Sequence, residues 1–192
     1  YTGSKKTASF ENIEENNLSP LRRGILVHYI MQTIHLEELK NSQDYETYIT
    51  KYVSRLAENE IISKQEQESL NLAMIAKFFY SDIGSKLLDA KEVQREVEFY
   101  YTIKAQEVYE DISNSDETLY IQGVIDCVFT AEDNTYILDY KTDFYNEDTK
   151  EEKINSYTVQ LAMYQRAYED IMQTKKAKSV LCFINMAENI II

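Results

Sequence analysis

The chain has 192 residues, 44% of them hydrophobic, enough for one sizeable core. Its net charge of −13 has the wrong sign for an autonomous nucleic-acid binder, which needs a basic footprint for phosphates, but leaves room for a domain to which a partner delivers DNA. One Pro and four Gly argue against flexible linkers, and no apolar run approaches the roughly 20 residues of a membrane span.

The chain opens on Tyr1 rather than Met and ends on "NIII". Both ends read as cuts, so the expectation is a single domain, 1–192, taken from a longer polypeptide. Within it, 1–17 form a polar N-terminal arm, 18–90 a helical part, and 91–192 a sheet with one helix. At "SPLRRGILVHYIMQTIHLEEL" Ser19 can cap, Pro20 suits a first helical turn, and apolar residues recur through Leu39, which predicts one helix. "DYETYITKYVSRLAENE" spaces Tyr45, Tyr48, Ile49, Tyr52, Val53 and Leu56 as an amphipathic helix. "ISKQEQESLNLAMIAKFFYS" opens with Ser63 and Glu66, a capping box, and predicts another helix, with a short one near 81–90.

Then the period changes to two. "REVEFYYTI" sets Val97, Phe99, Tyr101 and Ile103 on one face and Glu96, Glu98 and Tyr100 on the other. "TLYIQGVIDCVFT" and "NTYILDYKT" are two further strands joined by the turn-prone "AEDN", a hairpin. A helix over about 150–173 and a last strand at "SVLCFINM" complete helices followed by β-β-β-α-β, an α/β (mixed α+β) fold with a mixed sheet flanked by helices. Cys127 and Cys182 lie in apolar runs and read as core residues in a reducing cytoplasm; two cysteines alone hold neither zinc nor an iron–sulfur cluster.

Charged residues interrupt two of these apolar runs. Asp139 and Lys141 are two apart on a strand and share a face, with Leu138 and Tyr140 on the other. If the hairpin sets the strand of Asp126 beside that of Asp139, two carboxylates and an ammonium converge. Two such carboxylates repel unless a cation lies between them, and carboxylate and water ligands suit Mg²⁺ or Mn²⁺. A lysine beside that cation can orient water and stabilise a pentavalent phosphate, which is the chemistry of phosphodiester hydrolysis. The competing structural reading is a strand bulge or edge for each Asp. Gln160 and Tyr164 share one helix face, as do Gly24 and His28; alone, Tyr164 reads as core and Gln160 as a boundary residue, and a histidine in so apolar a stretch is more often a satisfied core group than a ligand. His35 reads as structural.

In order and rough spacing, "RRGILVH", "REVEFYY", "GVID", "LDYKTD" and "QLAMY" resemble the RecB-family nuclease domain of the PD-(D/E)XK superfamily. The closest likeness is to the C-terminal nuclease domain of AddA-type (RexA-like) helicase–nucleases, which process double-strand breaks. The resemblance implies a restriction-endonuclease-like αβββαβ core with an N-terminal helical extension. It implies that His28, Asp126 and Asp139 bind metal, with the backbone carbonyl of Tyr140 a further ligand. Lys141 matches the catalytic lysine, Gln160 and Tyr164 the helix pair that positions the active site and DNA backbone, and Glu96 a family glutamate on the first strand. Branches with an iron–sulfur cluster carry four cysteines, so this chain is expected to have none. No G-x-x-x-x-G-K-[ST] pattern occurs, which puts a motor elsewhere in a parent chain. The expected function is a Mg²⁺-dependent deoxyribonuclease, exonucleolytic and cytoplasmic, with Mn²⁺ able to substitute. Its expected partners are DNA, the parent helicase domains and an AddB-like subunit. The alternative is a non-cleaving module that binds or senses DNA beside a motor.

Overall fold

A computed structural model describes residues 18–107, 117–174 and 177–192; the expected arm at 1–17 lies outside them. Helix α1 (Pro20–Thr33) starts where the cap residues place it: Ser19 Oγ accepts the Arg22 N–H at 3.2 Å and Pro20 opens the first turn. The helix expected to run on to Leu39 instead breaks, because Ile34 and His35 are extended, and α2 (Leu36–Lys40) is separate. No Gly or Pro marks the break. The Arg95 guanidinium supplies it, donating to the carbonyls of Met31, Gln32 and Ile34 and so satisfying groups that a helix end leaves open.

Helix α3 (Tyr45–Glu58) buries Ile49, Val53 and Leu56, the spacing its sequence announces. The capping box at Ser63 and Glu66 is present and starts α4 (Lys64–Ser69). One helix was expected from there through residue 81, but Asn71 caps a second start and α5 (Leu72–Tyr80) follows, then α6 (Asp82–Asp89). An ion pair at 2.6 Å between Arg22 and Glu66 ties α1 to α4. No helix among the described residues is long and apolar enough to cross a membrane.

The sheet comprises β1 (Val93–Lys104), β2 (Thr118–Ala131), β3 (Asn134–Lys141), β4 (Ala177–Phe183) and β5 (Glu188–Ile191), in that spatial order. β1, β2 and β3 form an antiparallel meander; α7 (Lys150–Met172) then carries the chain over to β4, parallel to β3. The expected hairpin turns at Glu132 and Asp133, with φ of 52° and 60°, the two left-handed residues of a tight primed turn. The last strand is shorter than "SVLCFINM": residues Ile184–Met186 make a 3₁₀ turn, and β5 returns antiparallel to β4, an element the apolar pattern did not announce.

Two layers cover the sheet. Cys127, Phe129, Tyr136, Leu138, Tyr140, Val180 and Cys182 pack with α1–α6. Ile125, Val128, Ile137, Leu181 and Phe183 join clusters that include residues of α7. Each fully buried aliphatic or aromatic side chain contributes about 1.5–3 kcal/mol. Both cysteines are free thiols in this core, and burial pushes Cys127 up to about 12, so it is an inert packing residue.

Beyond Lys141, the loop leading to α7 is held by β5. Glu188 accepts from the Tyr145 hydroxyl and pairs with Lys150 at 2.6 Å. These contacts with Lys150 and Tyr145 hold the Glu188 carboxyl below its ordinary value. A carboxyl lowered on folding stabilises the protein above its unfolded pKa and loses that contribution as pH falls through its folded one. Glu188→Gln should therefore lower Tm by about 1–3 °C at pH 7, and the difference should shrink as pH falls through the folded-state titration of Glu188. Thermal melts of both proteins across that range would check this.

Candidate functional site

The ladder between β2 and β3 runs from the turn to Cys127–Leu138 and stops. One step further, Asp126 would face Asp139. Instead β3 continues on β4 alone, pairing Asp139 with Leu181 and Lys141 with Phe183. The Tyr140 N–H donates to Asp126 Oδ2 at 2.7 Å, so a side chain takes the place of a ladder acceptor. The other oxygen, Oδ1, lies 3.3 Å from His28 Nδ1 on α1.

Strand β1 changes course at the same level. Arg95 pairs with Cys127 and Val97 with Ile125, so Glu96 stands opposite Asp126 in register. Glu96 has φ of 53°, a left-handed conformation that costs a non-glycine residue on the order of 1–2 kcal/mol. There the strands exchange faces: Val93 and Cys127 pack with the N-terminal helices, while Val97 and Ile125 pack with Tyr164 on the α7 side. Glu96, which the resemblance matched to a family glutamate, thus lines the same cleft as Gly24, His28 and Asp126, with a volume of about 780 Å³.

Asp139 and Lys141 face α7, as their spacing required, while Leu138 and Tyr140 pack with the helical layer. Asp139 is 4% exposed. Lys141 Nζ lies 2.8 Å from its Oδ2, within ion-pair range. That ammonium is the charge partner of the buried Oδ2, and among the described residues no well-angled hydrogen bond reaches this oxygen. On its far side Lys141 Nζ reaches Gln160 Oε1 at 3.5 Å. Gln160 Nε2 donates to the Tyr164 hydroxyl at 2.7 Å, which fixes the amide orientation and leaves the phenol proton free to donate onward. Tyr164 stands edge-on to Phe99, ring centroids 5.3 Å apart. Gly123 makes room for both rings, since a Cβ there would sit 2.6 Å from Phe99 and 3.0 Å from Tyr164.

The electrostatics follow from this crowding. Burial pulls His28 down, but the Asp126 hydrogen bond and charge, the Asp139 charge and a contact with the Tyr140 backbone outweigh it and leave the imidazole above its ordinary value. Burial also raises Asp139, with Lys141 and His28 opposing and Asp126 adding to the rise. Glu96 is raised by burial and by the Asp126 charge, with His28 opposing.

His28, Asp126, Tyr140, Asp139, Lys141, Gln160 and Tyr164 therefore form one run of neighbours from α1 through the sheet to α7. His35 lies apart, edge-on to Tyr52. Among the described residues no three His, Cys, Asp or Glu side chains already converge as a closed metal-ligand set. The donors nonetheless suit a hard divalent cation: the Asp139 carboxylate, the Asp126 carboxylate and the His28 nitrogen. Sequence reasoning missed Tyr157, whose ring centroid lies 4.3 Å from Lys141 Nζ. Its position, one turn before Gln160, is the only signal that could have found it.

The model of the PD-(D/E)XK nuclease superfamily matches residues 5–190. The chain is 35% identical over 161 residues to the A subunit of the ATP-dependent helicase/nuclease of Clostridium novyi (strain NT), an alignment that covers 82% of this chain and 13% of the relative. It is 33% identical over 181 residues to the protein of that name from Clostridium botulinum (strain Loch Maree / Type A3), covering 93% and 14%. Against that from Thermoanaerobacter sp. (strain X514) it is 32% identical over 175 residues, covering 90% and 14%. The chain thus spans about one-seventh of the length of the curated relatives it matches. With its mixed sheet, flanking helices and a match over nearly its whole length, the chain belongs to the PD-(D/E)XK nuclease superfamily.

Proposed function

We propose that this chain is the metal-dependent DNA nuclease domain of a longer helicase–nuclease, acting exonucleolytically in double-strand break repair and recombination in the cytoplasm. The observation that carries the reading is the buried Asp139 carboxylate, which stays raised despite the Lys141 ammonium beside it and lies within the field of Asp126. A buried carboxylate whose charge partner does not offset its burial is costly to a fold and is explained most simply by a ligand it serves. The relatives are named as the A subunit of an ATP-dependent helicase/nuclease, which supports a helicase in the parent chain and a further subunit as partner; DNA as the substrate and an AddB-like partner are part of this proposal.

On this reading His28, Asp126, Asp139 and the Tyr140 carbonyl hold Mg²⁺, with Mn²⁺ able to substitute. The bound cation supplies charge stabilisation at the scissile phosphate and a more acidic water. Lys141, a donor only, holds the attacking water by its oxygen or stabilises charge on the phosphate. Gln160 fixes the ammonium from the α7 side and orients the Tyr164 hydroxyl, which donates to the DNA backbone. Glu96 holds its carboxyl at the cleft wall, where it shapes the approach to Asp126.

Linear single- and double-stranded DNA incubated with Mg²⁺, Mn²⁺ or EDTA tests the reading. Cutting should need metal, and Asp139→Asn should lower it by on the order of 10³-fold. That variant should still fold. Asp139 is raised on folding, so its ionised form opposes stability at neutral pH and ceases to do so below its unfolded pKa. The Tm of Asp139→Asn in EDTA should therefore equal or exceed that of the parent at pH 7, converging with it in acid. Equal cutting by parent and variant would overturn the assignment.

Metal binding can be read without catalysis. At a hundredfold excess over Kd a cation adds about 2.7 kcal/mol, so Mn²⁺ should raise Tm by roughly 5–10 °C and should fail to do so in Asp126→Ala. A parent protein with no Mn²⁺ shift and no cutting would instead be a non-cleaving DNA-binding module.

A further inference from the structure

Lys141 carries a charge on a long, flexible stem, yet its amine must be held to a fraction of an ångström for the chemistry proposed above. Asp139 and Gln160 contact it at 2.8 and 3.5 Å. A third neighbour belongs to neither motif. The ring of Tyr157, one helical turn before Gln160, lies with its centroid 4.3 Å from Lys141 Nζ, within the range of a cation–π contact. The side chain of Lys141 is only 15% exposed, which favours that contact because little water competes for the ammonium.

The ring itself is fixed from its other end. The Tyr157 hydroxyl donates to Asp143 Oδ2 at 2.6 Å, and Lys153 holds Asp143 Oδ1 at 3.0 Å. Burial works against the charge of Asp143, but the Tyr157 hydroxyl and the Lys153 ammonium outweigh it and keep the carboxyl below its ordinary range. Burial and the Asp143 carboxylate push the Tyr157 phenol well above its ordinary value, so it stays protonated and remains a donor. Asp143 follows Lys141 by two residues, and Lys153 precedes Tyr157 by one turn on α7. The strand end and the helix are therefore clamped together around the lysine.

We propose that Tyr157 is a positioning residue for Lys141: its ring, tethered through Asp143 and Lys153, forms the wall that aims the ammonium at Asp139 and Gln160. This deepens the nuclease reading and rests on it for its consequence in catalysis, whereas the placement of the ammonium can be measured without it. Tyr157 also packs near Phe183, ring centroids 6.3 Å apart, so a purely structural role has to be separated from a positioning one.

Two substitutions make the separation. Tyr157→Leu keeps apolar bulk beside Phe183 but removes the π face; Tyr157→Phe keeps the face and loses the tether. On linear DNA with Mg²⁺, Tyr157→Leu should lower kcat about tenfold with KM changed less than about twofold, and Tyr157→Phe should recover most of the loss. In lysine-labelled protein, with the signal assigned through Lys141→Arg, the Lys141 ε-methylene protons should be shifted upfield by the ring. That shift should survive in Tyr157→Phe and disappear in Tyr157→Leu. An unchanged kcat in Tyr157→Leu, an equal loss in both variants, or a Lys141 signal indifferent to Tyr157→Leu would overturn the proposal. Should the parent protein cut no DNA, the nuclease reading fails, and the Lys141 signal alone decides whether the ring places the ammonium.

Discussion

The ending of the β2–β3 ladder at Cys127 and Leu138 is the constraint on which the rest of this site depends. Had the two strands stayed paired for one more step, Asp126 and Asp139 would face each other across a continuous sheet and the Tyr140 N–H would be spent on the ladder. The separation leaves that N–H in need of an acceptor, and the Asp126 carboxylate provides it. A buried backbone donor cannot go unsatisfied without a cost of about 1–3 kcal/mol, so Asp126 is locked in orientation by the same geometry that frees it from the sheet. Its second oxygen then points at His28, and the layer of α1 is joined to the layer of α7 through the sheet rather than around its edge.

The arrangement works against stability and is retained by what surrounds it. Asp139 is nearly without solvent, and its partner Lys141 offsets only part of the desolvation, since the carboxyl remains raised. Buried ion pairs of this kind are often no more stable than apolar side chains of the same volume. The left-handed Glu96 adds strain at the same level. Leu138, Tyr140, Val180 and Cys182 on one side, and Leu161, Leu181 and Phe183 on the other, supply the packing that holds these groups in place. Strain and a costly buried carboxylate concentrated at one level of a well-packed sheet are what the proposed site, rather than a scaffold, would call for.

What the sequence disclosed and what it hid divide along the range of the interactions. Local chemistry was legible: Ser19 with Pro20, the box at Ser63 and Glu66, the turn at Glu132 and Asp133, and the parity that puts Asp139 and Lys141 on one face. The end of α1 was not, because it is set by Arg95, some 60 residues away, through carbonyls that have no signature of their own. Nor was the exchange of faces at Glu96 and Asp126, because β1 alternates regularly from Val97 onward and no glycine marks the left-handed backbone at Glu96. β5 is four residues long and follows a 3₁₀ turn, too short to carry a period. Asp126, Asp139 and Lys141 stood out as charges in apolar runs; Tyr157, an aromatic on a helix, carried no such mark.

The acidity of the chain bears on how such a site would be used. A phosphate backbone approaching a protein of net charge −13 meets repulsion at long range, and the cleft beside His28 is itself walled by Glu96, Asp126 and Asp143. Lys141 is buried against Asp139 and cannot steer from a distance. Electrostatic attraction is therefore not what would bring DNA here. A divalent cation would reverse the sign only locally, within a Debye length of about 8 Å at physiological ionic strength. On the proposed reading the strand arrives by being threaded: a motor elsewhere in the parent chain supplies both the force and the basic surface. The nuclease domain can then remain acidic and bind its substrate weakly until the phosphate reaches the gap between β2 and β3.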